Sequence, residues 1–302
     1  MFKSKNSMSR ALVRRETTAG YLFLLPSLFF FVTFVLYPMF LCLYTSFFDS
    51  NMGKNAVDVF VGLGNYKELF QDKLFLGALK NTVVIVVVAV PTVCAFSLWV
   101  ATAIYDMKPA LTSAFRCIFY LPVVTGSVAV TVVWKWMYNS RYGVFNYLFK
   151  SLGIIDQNIN WLGDARFALW CIILILFTTS VGQPIVLYVS ALGNVDHSLV
   201  EAAQVDGANR RQVFWKIKWA QIMPTTLYIL IITTINSFQC FALIQLLTSG
   251  GPTHSTDTIM YYIYYTAFKL YRYGYGNAMG VVLMIIIAVL SAVQFKLGQR
   301  SD

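Results

Sequence analysis

The sequence predicts an all-α protein that crosses a membrane six times. Three observations carry that expectation. Of the 302 residues, 58% are hydrophobic and only 12% are charged, whereas a soluble domain carries roughly 25% charged residues. Six charge-free runs are long enough, at about 20 helical residues each, to cross the ~30 Å of hydrocarbon in a bilayer. Basic residues, finally, concentrate in the N-terminal tail and in one later connection, as the positive-inside bias requires.

Taken in order, the runs lie within residues 21–48, 82–105, 117–134, 167–193, 220–248 and 275–295, the third being the shortest. Lipid offers no partner for backbone N–H and C=O groups, so each run is forced into a helix. The β-branched stretch 83–88 would favour a strand in water, and the bilayer overrides that propensity. The first run is too long for a signal-peptide core and no A-x-A-like site follows, so it reads as an uncleaved anchor. Lys3, Lys5, Arg10, Arg14 and Arg15 against the single acid Glu16 place the N-terminus in the cytoplasm. Six crossings return Lys296 and Arg300 to the same side, and the connection bearing Arg210, Arg211, Lys216 and Lys218 faces the cytosol too. Residues 49–80, with four basic and four acidic side chains, face outward. Lys135 lies between Trp134 and Trp136 at the outer end of the third run, where aromatic belts and snorkelling lysines belong.

Three regions follow: residues 1–73 as tail, first span and outer loop, residues 74–296 as a five-span core, and residues 297–302 as a C-terminal tail. The net charge of +10 is scattered between apolar segments, so it reports membrane topology and no nucleic-acid surface. Cys42, Cys94, Cys117, Cys171 and Cys240 all fall in apolar stretches without metal or redox spacing and read as buried packing residues.

The energy source must be external to the chain. The only Gly-Lys pair, Gly53-Lys54, is followed by Asn55 and has Phe48 where a phosphate-cradling loop needs its first glycine. His197 and His254 fall on opposite sides in this topology, so they share no metal. No span carries an embedded carboxylate of the kind that relays protons or sodium. A catalytic acid, base or metal cluster is equally missing, which disfavours a membrane-embedded enzyme.

Residues 198–224, SLVEAAQVDGANRRQVFWKIKWAQIMP, form the one densely charged island, overlapping a cytoplasmic connection at about residues 196–220. Ser198 and Glu201 stand in the S-x-x-E relation of a capping box, so a helix is expected to start there. Asp206-Gly207 marks a bend. Asn209 and Gln212 repeat a weaker cap, after which Arg210, Val213, Phe214 and Ile217 share a helical face.

Glu201-Ala202-Ala203, Asp206-Gly207-Ala208, Phe214, Ile217 and Pro224 resemble the cytoplasmic EAA loop in the inner-membrane permease subunits of binding-protein-dependent ABC importers. Further stretches resemble the carbohydrate-uptake branch: GLGNYKELF at 62–70, YLPVVTGSVAVTVVWKWMYN at 120–139, YGVFN at 142–146 and TSGGPTHSTDTIMYYIYYTAF at 248–268. The resemblance runs from about Gly20 to Lys296. One departure is Trp219-Ala220 where the family usually has Leu-Pro, which lets the second short helix run on toward the fifth span.

The resemblance implies a six-span type I importer permease fold in a bacterial inner membrane. It implies as partners a second homologous permease, two ATPase subunits that use ATP and Mg, an extracytoplasmic solute-binding protein and membrane lipid, with no cofactor held by this chain. It also implies that the short coupling helix docks in a cleft on an ATPase. Ala202, Ala203 and Ala208 permit close approach, Gly207 bends the chain, Phe214 and Ile217 anchor it, and Glu201, Arg210 and Arg211 supply charged contacts. The solute path is expected to involve Asn236 and Gln239 beside Phe238, Phe241 and Gln245, together with Gln183 before Pro184, because amides and aromatic faces suit a sugar. Interhelical packing is the alternative use of those amides. Residues 62–70 and 250–268 are expected to receive the binding protein, although Gly250-Gly251-Pro252 is also what any tight turn requires. An ion-coupled secondary carrier is the alternative function, weakened by the missing carboxylate and internal repeat.

Overall fold

A computed structural model describes residues 3–50 and 58–299, with side chains from residue 16 to residue 298. The side chains of Lys3, Lys5, Arg10, Arg14 and Arg15, the Gly53-Lys54 pair and Arg300 lie outside the described residues. Among the described residues, five helices are long and apolar enough to cross a membrane: Glu16–Thr45, Lys73–Ile104, Ala168–Gly193, Arg210–Leu247 and Tyr273–Gly298. Taken as one broken span, the bent pair Pro109–Val124 and Ser127–Met137, meeting at 95°, brings the number to six.

That bend corrects the straight helix expected over 117–134. Pro122 cannot donate to the carbonyl of Ile118. Thr125 and Gly126 then take extended backbone, with ψ of 126° and 141°. The Thr125 hydroxyl donates to the Leu121 carbonyl at 2.8 Å, so the broken end still satisfies one of its acceptors.

The second crossing is the hub. Its buried side chains, Ile85, Ala89, Val93 and Ala101 among them, enter the clusters shared with the fourth and fifth crossings. Polar ties reinforce it: Ser97 Oγ donates to the Val181 carbonyl at 3.2 Å, and Thr82 Oγ1 accepts the Ile259 N–H at 3.0 Å. The first crossing is held only near its end, where Asn277 Nδ2 donates to Thr45 Oγ1 at 2.7 Å; residues 16–35 are exposed. Cys171 and Cys240 are buried as expected, Cys42 and Cys94 are partly buried, and Cys117 is exposed, which corrects its assignment to the core.

At the end of the bundle away from the polar island, Phe48–Asp49 pairs antiparallel with Val59–Phe60, a two-stranded ribbon the sequence did not announce. Asn65 Nδ2 fastens it through the carbonyls of Ser46 and Phe48 at 2.8 and 2.9 Å. Asp72 caps the second crossing and accepts from the Tyr262 and Tyr275 hydroxyls at 2.7 and 2.9 Å. Arg272 forms a fork with Glu68, both bonds at 2.8 Å.

Candidate functional site

The polar connection folds as two short helices with a bend between them, but its first cap is not the expected one. Helix His197–Val205 is capped by Asp196, whose carboxylate accepts the Ser198 N–H at 2.9 Å and the Ser198 hydroxyl at 2.7 Å. A carboxylate at that point also complements the positive helix end, which a serine cannot do. The Ser198 hydroxyl and the backbone N–H groups hold the Asp196 carboxyl below its ordinary range. Glu201, relieved of the capping function assigned to it, is exposed.

Gly207, at φ +84°, makes the bend in the left-handed region that glycine enters freely. Asn209 and Gln212 then form a complete reciprocal capping box: Gln212 N–H donates to Asn209 Oδ1 at 2.9 Å, and Asn209 N–H to Gln212 Oε1 at 2.8 Å. Helix Arg210–Val213 passes through a π-helical turn, Phe214–Lys218, into Trp219–Phe238 without interruption. Ala220 keeps the N–H that a proline there would remove, and the helix runs on as expected.

Ala202, Asp206, Arg210 and Arg211 are exposed, while Ala203, Ala208, Phe214 and Ile217 are half-buried. The large apolar side chains most open to contact are others: Val205, 88% exposed, with Leu199 and Trp215. Sequence reasoning missed Leu199 and Val205 because it read the apolar face of the second short helix and not that of the first, and missed Trp215 because that residue lies off the face of Val213, Phe214 and Ile217. Two ties bind the connection to the spans. Asp196 N–H donates to Gln221 Oε1 at 3.0 Å, and Lys218 Nζ donates to the Tyr105 hydroxyl at the end of the second crossing.

A cavity of about 150 Å³ lies between the third, fourth and fifth crossings, lined by Val123, Ser180, Gln183, Pro184, Tyr228 and Asn236, among others. It joins two of the expected path residues, Gln183 and Asn236, from different helices. Asn236 is exposed and has no side-chain hydrogen bond among the described residues, unlike an amide that glues helices together. Pro184 leaves the Ser180 carbonyl without its helical donor, adding a polar atom to the wall. Tyr228, another wall residue, was not anticipated.

The remaining candidates fall elsewhere. Phe238 is 1% exposed inside the core beside Phe75 and Met279, which removes it from the path. Phe241 packs on Tyr264 at 4.9 Å, and Gln245 is half-buried on the short helix Ala242–Leu247. Gln239 is exposed where the fifth crossing breaks, at residues 239–241, instead of continuing as a regular helix to 248. Thr258 Oγ1 donates to the Cys240 carbonyl at 2.8 Å and so satisfies the interrupted backbone. His197 opens the first loop helix, whereas His254, paired with Asp257 at 2.7 Å, lies at the opposite end.

A bundle of six crossings, one of them broken, with a capped two-helix connection at one end and a small polar cavity within, defines a multi-pass membrane permease. Residues 75–301 match the family described as the binding-protein-dependent transport system inner membrane component, and the chain belongs to that family. It is an inner-membrane transport subunit of the ABC importer class and not an enzyme. It is similar to the probable ABC transporter permease protein YesP of Bacillus subtilis (strain 168), 33% identical over 288 residues covering 94% of this chain and 91% of that protein. It is also similar to the lactose transport system permease protein LacF of Rhizobium radiobacter, 33% identical over 94% of this chain and 95% of that protein. Among solved structures, a bacterial alginate ABC transporter in complex with its alginate pentasaccharide-bound periplasmic protein superposes with a TM-score of 0.81. That likeness covers 95% of this chain and 96% of the other at 24% identity, and it speaks for the fold.

Proposed function

We propose that this chain forms half of the pathway by which an ATP-driven importer carries a carbohydrate or related polyol inward. A second homologous permease supplies the other half, two ATPase subunits consume ATP and Mg, and an external binding protein delivers the solute. In this reading both termini and the connection 196–220 are cytoplasmic, and residues 49–80 face outward. The observation that carries the solute class is the meeting of Gln183 and Asn236 with the Tyr228 ring in one cavity: amides for hydroxyls, an aromatic face for the apolar side of a sugar ring. The names of related proteins, a lactose permease and a multiple sugar-binding permease from Streptococcus mutans, support it.

The exposed residues Glu201, Asp206, Arg210 and Arg211 offer charged contacts to the ATPase, with Val205 and Leu199 as the apolar component. Two measurements on the reconstituted complex test the proposal. A Gln183→Ala, Asn236→Ala double variant that assembles normally should lose solute transport while retaining ATP hydrolysis. Unaltered affinity and rate would assign both amides to packing. Reversing Arg210 and Arg211 to Glu should uncouple hydrolysis from uptake, and unchanged coupling would remove these residues from the interface.

A further inference from the structure

We propose that the face of helix Val144–Ser151 bearing Tyr147 and Lys150, together with Arg141 and Tyr142 in the preceding turn, receives an acidic side chain of the external binding protein. The proposal rests on the reading above, in which such a protein delivers the solute. The site begins with Asn146, only 2% exposed. Its Nδ2 donates to the carbonyls of Ser140 and Ile159 at 3.2 and 2.9 Å, and its Oδ1 accepts from the Ile159 N–H at 3.1 Å and the Trp161 Nε1–H at 3.0 Å. One amide thereby ties the turn, the helix and the following loop together.

The helix has two unlike faces. Phe145 and Phe149 pack with Tyr138 and Trp161, at ring distances of 4.9 and 5.5 Å, in an aromatic box completed by Trp170 and Leu174 of the fourth crossing. That face packs against the bundle. At about 100° per residue, Tyr147 and Lys150 lie on the far side of the helix from Phe145 and Phe149. With Arg141, Tyr142 and Asn158 they surround a hollow of about 400 Å³. Tyr142 is 64% exposed and Tyr147 77%.

Neither cation of this hollow is neutralised. The ion pairs among the described residues are Arg166 with Asp164, His254 with Asp257, and Arg272 with Glu68. The charged groups of the two segments expected from sequence to receive the binding protein are, by contrast, already engaged. Glu68 of the first is held by Arg272, His254 of the second pairs with Asp257, and Asn81 Nδ2 of the second crossing donates to the carbonyls of Ser255 and Asp257 at 3.1 and 3.0 Å. Two free cations between two exposed tyrosines, on a prefolded support, have the composition of a binding hot spot, and a rigid patch loses little entropy on docking. Their field steers and orients a negatively charged partner. Because the connection between the third and fourth crossings faces outward in this reading, a carboxylate of the water-borne binding protein is the partner its charge calls for.

The test uses the assembled complex in nanodiscs, titrated with the solute-loaded binding protein that stimulates ATP hydrolysis by the wild type. Arg141→Glu, Lys150→Glu should raise the half-maximal concentration by about tenfold at low salt, with basal rate and saturated rate unchanged. Arg141→Lys should stay near wild type, and about 0.5 M salt should shrink the difference. A Lys substitution at the matching acidic residue of the binding protein should restore binding to the reversed variant. An unshifted half-maximal concentration with unchanged salt dependence would overturn the proposal. So would a shift that appears only in phosphatidylglycerol discs and vanishes in phosphatidylcholine discs, which would assign the hollow to lipid. If no binding protein stimulates the wild type, the functional reading itself fails and takes the proposal with it, a result distinct from a silent charge reversal.

Discussion

Gly182 is the position at which one methyl group tests both the packing and the cavity. A Cβ there would lie 2.9 Å from Val123 Cγ2 and nearer still to the Phe119 carbonyl oxygen, a backbone atom that no rotamer change moves aside. The fourth crossing would have to back away from Pro109–Val124, carrying Ser180, Gln183 and Pro184 with it. Overpacking of this kind costs about 1–3 kcal/mol. The gain in helix propensity from Gly to Ala, about 0.8–1 kcal/mol, offsets part of it. The net loss is up to about 2 kcal/mol, and a chain of this size should melt roughly 2–4 °C lower for each kcal/mol. Thermal unfolding of the purified complex and import into proteoliposomes should both register Gly182→Ala. Gly193→Ala, in the same crossing with nothing within 4 Å of the new carbon, is the control and should keep wild-type behaviour. Indistinguishable melting and import for the two variants would refute the close approach at Gly182.

Other perturbations have defined outcomes. Asn209→Ala removes one half of the capping box and should cost the loop about 1 kcal/mol, read as faster amide exchange at residues 210–213; Ser198→Ala should have a smaller effect because Asp196 is the cap. Burial on its own pushes the Asp72 carboxyl up, but hydrogen bonds from Tyr262, Tyr275 and the N–H groups of Leu74 and Phe75 outweigh it and hold the group below its ordinary range. The native state therefore binds that proton more weakly than the unfolded chain. The stabilisation is present at neutral pH and is lost as pH falls below the ordinary value of 3.8, an acid sensitivity that Asp72→Asn should diminish in pH-dependent melting curves. Lys218→Met, which removes the ammonium that donates to the Tyr105 hydroxyl, costs a hydrogen bond worth about 0.5–1.5 kcal/mol. It should lower solute carried per ATP hydrolysed, with Lys218→Arg retaining most of it; equal ratios in all three proteins would assign the contact to packing alone.

The number of crossings was legible because hydrocarbon thickness sets a length that apolar runs either meet or miss. The break at Thr125-Gly126 was not, since the rule that lipid forces helix relaxes wherever protein shields the backbone, and only the tertiary fold shows where that happens. The bend at Gly207 and the Asn209 box could be read locally, as both depend on residues within four positions of each other. Asp196 and Ser198 are both cap residues two positions apart; the carboxylate's charge at the helix end, together with the bond of the Asp196 N–H to Gln221, favours Asp196, and that second tie depends on a residue 25 positions away. Gln183 and Asn236 were each visible as amides in apolar runs. Their shared cavity was not, because it depends on how two helices are turned about their axes. Phe238 shows the reverse error: adjacency to Asn236 and Gln239 in sequence placed it on the path, while helical rotation sends it into the core.

The π-helical turn at Phe214–Lys218 sets a rotational phase. A π turn accommodates one residue more than the α-helical path it replaces, so the helices on either side keep the same facing that a chain one residue shorter would give them. Tightening those residues to α geometry without shortening the chain would swing the loop about 100° around the axis of the fifth crossing. Loss of a single residue within the turn, on the other hand, leaves both faces where they were. Sequence length in this connection is thus free to drift by one, while the direction in which the loop presents Arg210, Arg211 and Val205 is not.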